Sequence, residues 1–307
     1  MIELLEGRVM KTFIAVMEEK SFSRAADRLG YVQSTVTTHI QSLEQACKQK
    51  LFHRLPRGVK PTPAGEKMMK YAYQFVHLGS SIEEAMNELE QPKGTVYLRM
   101  QESFFLTRFS SFMPYFVKKY PEVKLRIEAG FYQDILDHVL EHAIDFGMVP
   151  RDPQRHDVVF YPLVEEKLIF IASRALMREV ETEGLQRLSQ EVLISFGTDC
   201  LYHTQANQAL QEAGIAVKEA LELPSLDMIK QSVKCGSGFA LIPEIAVQAE
   251  LDAGEFDVLP IRSDIRSTHG MIVHKSRELS FPARLLLSEW TKHIPSAEHG
   301  QASTPEG

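Results

Sequence analysis

Apolar residues recur three and four apart at several places along the chain, and the polar residues between them change character from one segment to the next. In SFSRAADRLG (residues 21–30), Phe22, Ala25, Ala26 and Leu29 share one face of a helix, with Ser21 or Ser23 as its cap and Gly30 as a left-handed stop. After a turn, Val36, Ile40 and Leu43 form a second stripe. The opposite side of that helix carries Ser34, Thr38, Gln41 and Gln45, where soluble helices ordinarily carry Lys and Glu. LFHRLPRGVKPTPAG (51–65) reads as two short extended pieces around a Pro-Arg-Gly turn. Thr62-Pro63 then gives a cap followed by Pro at the first helical position. From there Ala64, Met68, Tyr71, Phe75, Leu78, Ile82, Ala85 and Leu89 alternate in steps of four and three to about Glu90, and Gln91-Pro92-Lys93-Gly94 breaks the helix as a hinge. Beyond it, strand-like runs (VYLRM, VKLRIEAG, IDFGMV, EKLIFIAS, VLISFG, ALELP, GFALIP, DVLPI, GMIVHK) alternate with helical ones. They show no internal repeat and fit a doubly wound α/β sheet. Residues 296–307 (SAEHGQASTPEG) read as a disordered tail.

Small Ala25 and Ala26 at the crossing allow two helices to approach as in a helix-turn-helix, and periodicity alone allows equally an ordinary helical hairpin with one polar face. Side chains that are short and both donate and accept suit base edges, so Gln33, Ser34, Thr37 and Thr38 are the expected base readers. Ser23, Thr35 and His39 complete the DNA-facing set, and Arg54, Arg57 and Lys60 on the turn segment are placed for phosphates. Charge distribution favours this reading. The 307-residue chain has a net charge of -7, yet residues 1–60 hold ten Lys or Arg against six acids and the remainder 24 against 35. The apolar seam from Ala64 to Leu89 is long enough for a coiled coil joining two copies, although a helix packed on its own domain shows part of the same pattern.

The residues Phe13…Val16, SFSRAADRLGYVQSTVTTHIQSLE, LFHR and GVKPTPAG together resemble the winged helix-turn-helix head of LysR-type transcriptional regulators, from Phe13 to Gly65. YPEVKLRIEAG, AIDFGMV and VKCGSGFALIP resemble, more loosely, the effector-binding body of that family. The resemblance implies an α/β chain with an N-terminal winged helix-turn-helix (1–62, all-α with a small β-wing), a long linker and dimerisation helix (63–90), and a two-lobed effector domain (91–295) like periplasmic binding proteins. It further implies that the chain crosses between lobes twice, with about 95–165 and 264–293 in one lobe and 166–263 in the other. Three positions depart from the family pattern. His39 stands where many members have Arg or Lys, Lys48 where a glycine ends the recognition helix, and Val32 where Ser or Thr caps it.

In open α/β sheets ligands bind at the C-terminal ends of strands, against helix N-termini that favour anions. Gln101, Glu102 and Ser103, then Phe131, then Thr198, Asp199, Cys200 and Tyr202, and finally Ser225 meet that description, while plain capping explains Ser103 and Ser225 equally well. Cys200 has three readings: a redox sensor at a helix N-terminus, a cap or ligand contact, or packing. The position nine residues on, where peroxide-sensing relatives place a second thiol, is Ala209, and Cys47 and Cys235 fall in helical patterns. Eleven His without H-E-x-x-H spacing, no G-x-S-x-G and no C-x-x-C argue against an enzyme or a metal site. No cofactor is expected beyond a small organic or anionic effector. The expected partners are double-stranded DNA, a second copy forming a homodimer and then a homotetramer, and RNA polymerase, in the cytoplasm and away from membranes.

Overall fold

The computed structural model describes residues 5–56, 58–87, 92–198, 200–217, 219–261 and 264–293. The head is three helices, α1 (Gly7–Glu19), α2 (Phe22–Leu29) and α3 (Gln33–Cys47), followed by a hairpin of β1 (Phe52–Leu55) and β2 (Gly58–Pro61). Its core is Phe13, Val16, Ala25, Val36, Ile40 and Leu43, all essentially inaccessible, so the stripes read from periodicity are the buried faces. Methyl side chains at Ala25 and Ala26 let α2 lie close to its neighbours. Helix α2 ends at Gly30 (φ 69°), whereas α1 and α3 end at Lys20 (φ 50°) and Lys48 (φ 53°) in the same left-handed conformation. After α3, Lys48 N–H bonds to Gln45 O and Gln49 N–H to Glu44 O, which is the Schellman closure normally built on glycine. The helix therefore ends in the closure that glycine ordinarily makes, carried here by a lysine. As the sequence suggests, Val32 provides no side-chain cap for α3.

The wing is pinned to the end of α1. Gly58 has φ 97°, and a Cβ there would lie 2.6 Å from Lys20 O, the atom that also accepts from Val59 N–H at 3.1 Å. Thr62 caps α4 (Pro63–Asn87), accepting from Gly65 N–H at 3.1 Å while its hydroxyl donates to Lys50 O at 2.6 Å. The apolar seam read from the sequence divides in two. Ala64 and Met68, joined by Met69, Ala72 and Val76, pack into the head, where Tyr73 also donates to Glu18 Oε1 at 2.8 Å. Tyr71, Phe75, Leu78, Ile82 and Met86 stay exposed, Leu78 at 62% and Met86 at 77%. The side chain of Ala85, and Leu89 altogether, lie outside the described residues, as does the expected tail 296–307.

The body is one continuous sheet path of β3 (Gly94–Met100), β4 (Val123–Ala129), β5 (Phe146–Val149), β6 (Val158–Ser173), β7 (Val192–Ser195), β8 (Glu219–Glu222), β9 (Phe239–Pro243), β10 (Phe256–Val258) and β11 (Arg266–His274), in the order β4-β3-β5-β11-β6-β9-β7-β8 with β10 on β6. The pairs β3/β4, β3/β5, β7/β8 and β7/β9 are parallel, and those made by β6 and β11 are antiparallel. Helices cover both faces: α5 (Glu102–Phe104) with a π-turn (Phe105–Phe109), α6 (Met113–Lys119), α7 (Tyr132–Leu140) and α12 (Phe281–Thr291) on one lobe, and α8 (Arg174–Glu183), α9 (Leu201–Glu212), α10 (Leu226–Lys234) and α11 (Gln248–Asp252) on the other. Phe104, Phe109, Phe116 and Trp290 centre the first lobe, and Leu168, Phe170, Leu193 and Phe239 the second. Strand β6 begins at Val158, earlier than its EKLIFIAS run indicates, because Pro162 interrupts the pattern without interrupting the strand. Pro162 sits opposite Gly270 at a bulge, where an added Cβ on Gly270 would lie 2.4 Å from the Phe160 ring.

The left-handed Lys48 yields a stability prediction. An L-residue in that conformation costs about 1 kcal/mol relative to glycine, so Lys48→Gly is expected to stabilise the head by about that amount, read as a higher urea midpoint of the full chain. A lower midpoint would mean that the lysine side chain contributes more than its backbone costs.

Candidate nucleic-acid interface and interlobe site

On the head, α3 turns its neutral face outward because Val36, Ile40 and Leu43 occupy the other. Gln33, Ser34 and Thr38 are exposed, and Thr35 and Thr37 are half-buried. The Thr37 hydroxyl donates to Gln33 O and the Thr38 hydroxyl to Ser34 O, each at 3.0 Å, which leaves their lone pairs and methyls facing out. Ser23 donates to Gln33 Oε1 at 3.0 Å and so orients that amide from α2. His39 corrects its sequence placement. Thr12 gives its hydroxyl proton to Arg8 O, so His39 Nδ1, 2.9 Å from Thr12 Oγ1, is the donor of that pair, and Tyr31 stands edge-on to the ring. Burial, and then Arg8, lower the imidazole pKa, so at pH 7 His39 is a neutral fastener between α3 and α1 rather than a phosphate-binding cation.

Arg54 and Lys60 project from the wing, with the Arg54 guanidinium 5.4 Å above the Phe22 ring; Arg57 lies outside the described residues. Arg24 and Arg28 are paired with Glu19 and Glu18 and are less available to phosphates. Tyr31 and Val32, exposed beside Gln33, were not among the residues expected to face DNA. The missing cap at Val32 was their one signal.

Between the lobes, Gln101, Ser103 and Tyr202 come together in a buried polar cluster with three residues that sequence reasoning missed, Arg108, Glu166 and His269. Glu166 lies on β6 and His269 on β11, so the two crossing strands form the floor. Arg108 Nε donates to Glu166 Oε1 at 3.0 Å, and Phe104 stacks on the His269 ring at 4.8 Å. His269 Nε2 is 3.3 Å from Gln101 Oε1 and 3.4 Å from the Tyr202 hydroxyl. Burial lowers the His269 pKa and, with Glu166 beside it, pushes the Tyr202 phenol well above its ordinary value, so both are neutral. Charged residues in mid-strand read as solvent-facing in a single sequence, which is why Glu166 and His269 gave no warning.

Of the helix N-termini assigned to an anion, that of α10 is already supplied, whereas α5 and α9 carry no side-chain cap. Glu102 Oε2 accepts from Leu226 N–H at 2.9 Å across the lobes, and Ser225 caps the same helix by accepting from Met228 N–H at 3.3 Å. Thr198 N–H bonds to Glu222 Oε1 at 3.1 Å. Thr198 and Phe131 are exposed and stand apart from the buried cluster, and Asp199 lies outside the described residues. Cys200 is 3% exposed and its thiol pKa is raised by burial, although the N–H groups of Tyr202 and His203 pull it down. Its thiol is thus protonated and shielded, contrary to what a redox sensor requires.

A cavity of about 790 Å3 opens elsewhere, where α4 meets the first lobe, lined among others by Lys11, Gln74, His77, Tyr97, Lys124 and Arg277. Arg277 bonds at once to Asp145 Oδ1 (2.7 Å), His142 O (2.9 Å) and the His77 ring (2.9 Å), and Gln74 meets His142 Nε2 at 2.9 Å. Burial, with Arg277 adding to it, lowers the pKa of both His77 and His142 to about 4. Among the described residues, no group of His, Cys, Asp or Glu is arranged to hold a metal ion, and no helix is long and apolar enough to cross a membrane.

Comparison with known proteins accounts for both parts. The profile of the bacterial regulatory helix-turn-helix protein, lysR family, matches residues 8–66, and that of the LysR substrate binding domain matches residues 89–294. The HTH-type transcriptional regulator YofA of Bacillus subtilis is 32% identical over 244 residues, covering 79% of this chain and 83% of its own length. CzcR of the same organism is 29% identical over 292 residues, covering 94% of this chain and 98% of its own. Among solved structures, ArgP from Mycobacterium tuberculosis has the same fold, with a TM-score of 0.73 at 19% identity, covering 97% of this chain and all of that one. The chain belongs to the LysR family, and is a DNA-binding transcriptional regulator of that type rather than an enzyme.

Proposed function

We propose that α3 reads base edges through Gln33, Ser34, Thr37 and Thr38, aided by the apolar surfaces of Tyr31 and Val32, while Arg54, Arg57 and Lys60 hold the phosphates on either side. The observation that carries this is the exposed neutral face of α3 set beside a basic wing. Two copies joined along Tyr71, Phe75, Leu78, Ile82 and Met86 would present two such helices to a two-fold site, and pairs of dimers would form the tetramer. The unpartnered apolar stripe on α4 supports this, because water-exposed apolar surface of that extent is stabilised by a matching helix. A small polar molecule binds between the lobes and changes their closure, and the Arg277 contacts with α4 carry the change toward the heads. RNA polymerase is the further partner at the promoter, in the cytoplasm where the DNA lies.

Substitutions separate the two DNA-contact roles. Arg54→Ala is expected to weaken binding to all sequences alike and to lower the salt slope by about 1, whereas Thr38→Ala alters preference at one base pair by about 1 to 3 kcal/mol. Measured by titrating fluorescent duplexes at several salt concentrations, the reverse pattern would exchange the two assignments. Leu78→Asp combined with Ile82→Asp places charges in the proposed seam, so the sedimenting mass should fall and operator affinity with it; an unchanged mass would remove α4 as the contact. Cys200→Ser is expected to leave the transcriptional response to peroxide as in the wild type, and loss of all regulation in that variant would reinstate the thiol as sensor.

A further inference from the structure

One buried acceptor of the interlobe cluster lacks a donor. Glu166 is 1% exposed and gives one oxygen to Arg108, while its Oε2 makes no hydrogen bond. His269 Nδ1 lies 3.3 Å from that oxygen in poor hydrogen-bond geometry, and it too is without a partner. Gln101 Oε1 and the Tyr202 hydroxyl approach His269 Nε2 only at 3.3 and 3.4 Å, near the outer limit for such bonds. A buried carboxylate oxygen that lacks a donor is a costly arrangement that a donor from outside relieves.

At α10 the surroundings disfavour the opposite charge. Leu226 N–H is taken by Glu102, and in the same lobe Thr198 N–H is taken by Glu222. Arg108, the cation nearest the floor, is already committed to Glu166. An anion at α10 would have to displace Glu102, whereas a cation finds the open oxygen of Glu166.

Taking the interlobe cleft as the effector site, the reading on which this rests, we propose that the effector carries a protonated nitrogen, an ammonium, amidinium or guanidinium, that bonds to Glu166 Oε2. Glu102 then leaves Leu226 N–H and becomes its second acceptor. The bond from Leu226 N–H to Glu102 that spans the lobes is thereby exchanged for one through the ligand, so binding and lobe position are coupled.

The test uses the full-length protein and three probes of similar size at matched ionic strength, n-butylammonium, n-butylguanidinium and butyrate, followed by calorimetry and by the thermal unfolding midpoint. Wild type should bind the two cations at least about tenfold more tightly than butyrate. Glu166→Gln should lose that preference, and Glu102→Ala, which releases Leu226 N–H, should gain butyrate binding. Should Glu166→Gln fail to fold, Glu102→Ala decides the matter, because Glu102 is only half-buried and its loss leaves the floor intact. Tighter binding of butyrate than of the cations by wild type would overturn the charge assignment alone, as would cation binding unaffected by Glu166→Gln. If no probe binds wild type or Glu102→Ala, the cleft itself is not the ligand site.

Discussion

One strand carries both lobes. The sixteen residues of β6 pair with β11 over their first part and with β9 and β10 over their last, so there is no flexible joint in that crossing to separate the lobes. A strand of that length stays paired only if its one proline is accommodated. The bulge at Gly270 does this by letting Phe160 and Tyr161 approach where a side chain would collide. Because Glu166 and His269 ride on the two crossing strands, the polar floor between the lobes is fixed by backbone pairing, and the residues above it, Gln101, Ser103 and Tyr202, arrive from opposite sides. Movement of the lobes must then take the form of bending within paired strands, a stiff mode that leaves few discrete arrangements.

The joint between linker and body is electrostatic rather than apolar. Arg277 is buried in a setting of one carboxylate, one carbonyl and histidines that burial keeps neutral, so the guanidinium is satisfied without a crowd of opposing charge. Directional bonds of this kind specify an angle between α4 and the first lobe, where an apolar contact would let one slide over the other. From Ala64 to Val76 α4 is part of the head core, with Ala72 fully buried. Head and lobe thus hold neighbouring turns of the same helix.

Local features were legible in the sequence and distant pairs were not. The stripes of α2 and α3, the stop at Gly30, the cap at Thr62 and the wing all depend on residues a few positions apart, where periodicity and turn chemistry decide. The seam on α4 was legible as a period but not as a division, because a heptad pattern does not say which turn meets the same chain and which meets another. The cluster between the lobes joins residues 101, 108, 166, 202 and 269, and the bond from Glu102 to Leu226 spans 124 positions. No local pattern marks a carboxylate that will cap a helix in the other lobe, and this is why the start of α10, which looked free for a ligand, proved to be taken.

The hydroxyls of Thr37 and Thr38, each turned onto a carbonyl of its own helix, bear on how such a protein finds its site. If Thr37 and Thr38 read bases as proposed, these protons already have acceptors while the head travels along the duplex by phosphate contact, so passing over a wrong base forfeits nothing and grips nothing. Only a base that offers a better acceptor draws a hydroxyl away, and the side chain needs little more than a rotation to answer it. Searching and stopping then use the same face in two hydrogen-bonding states, and the travel can be fast without making the stop indiscriminate.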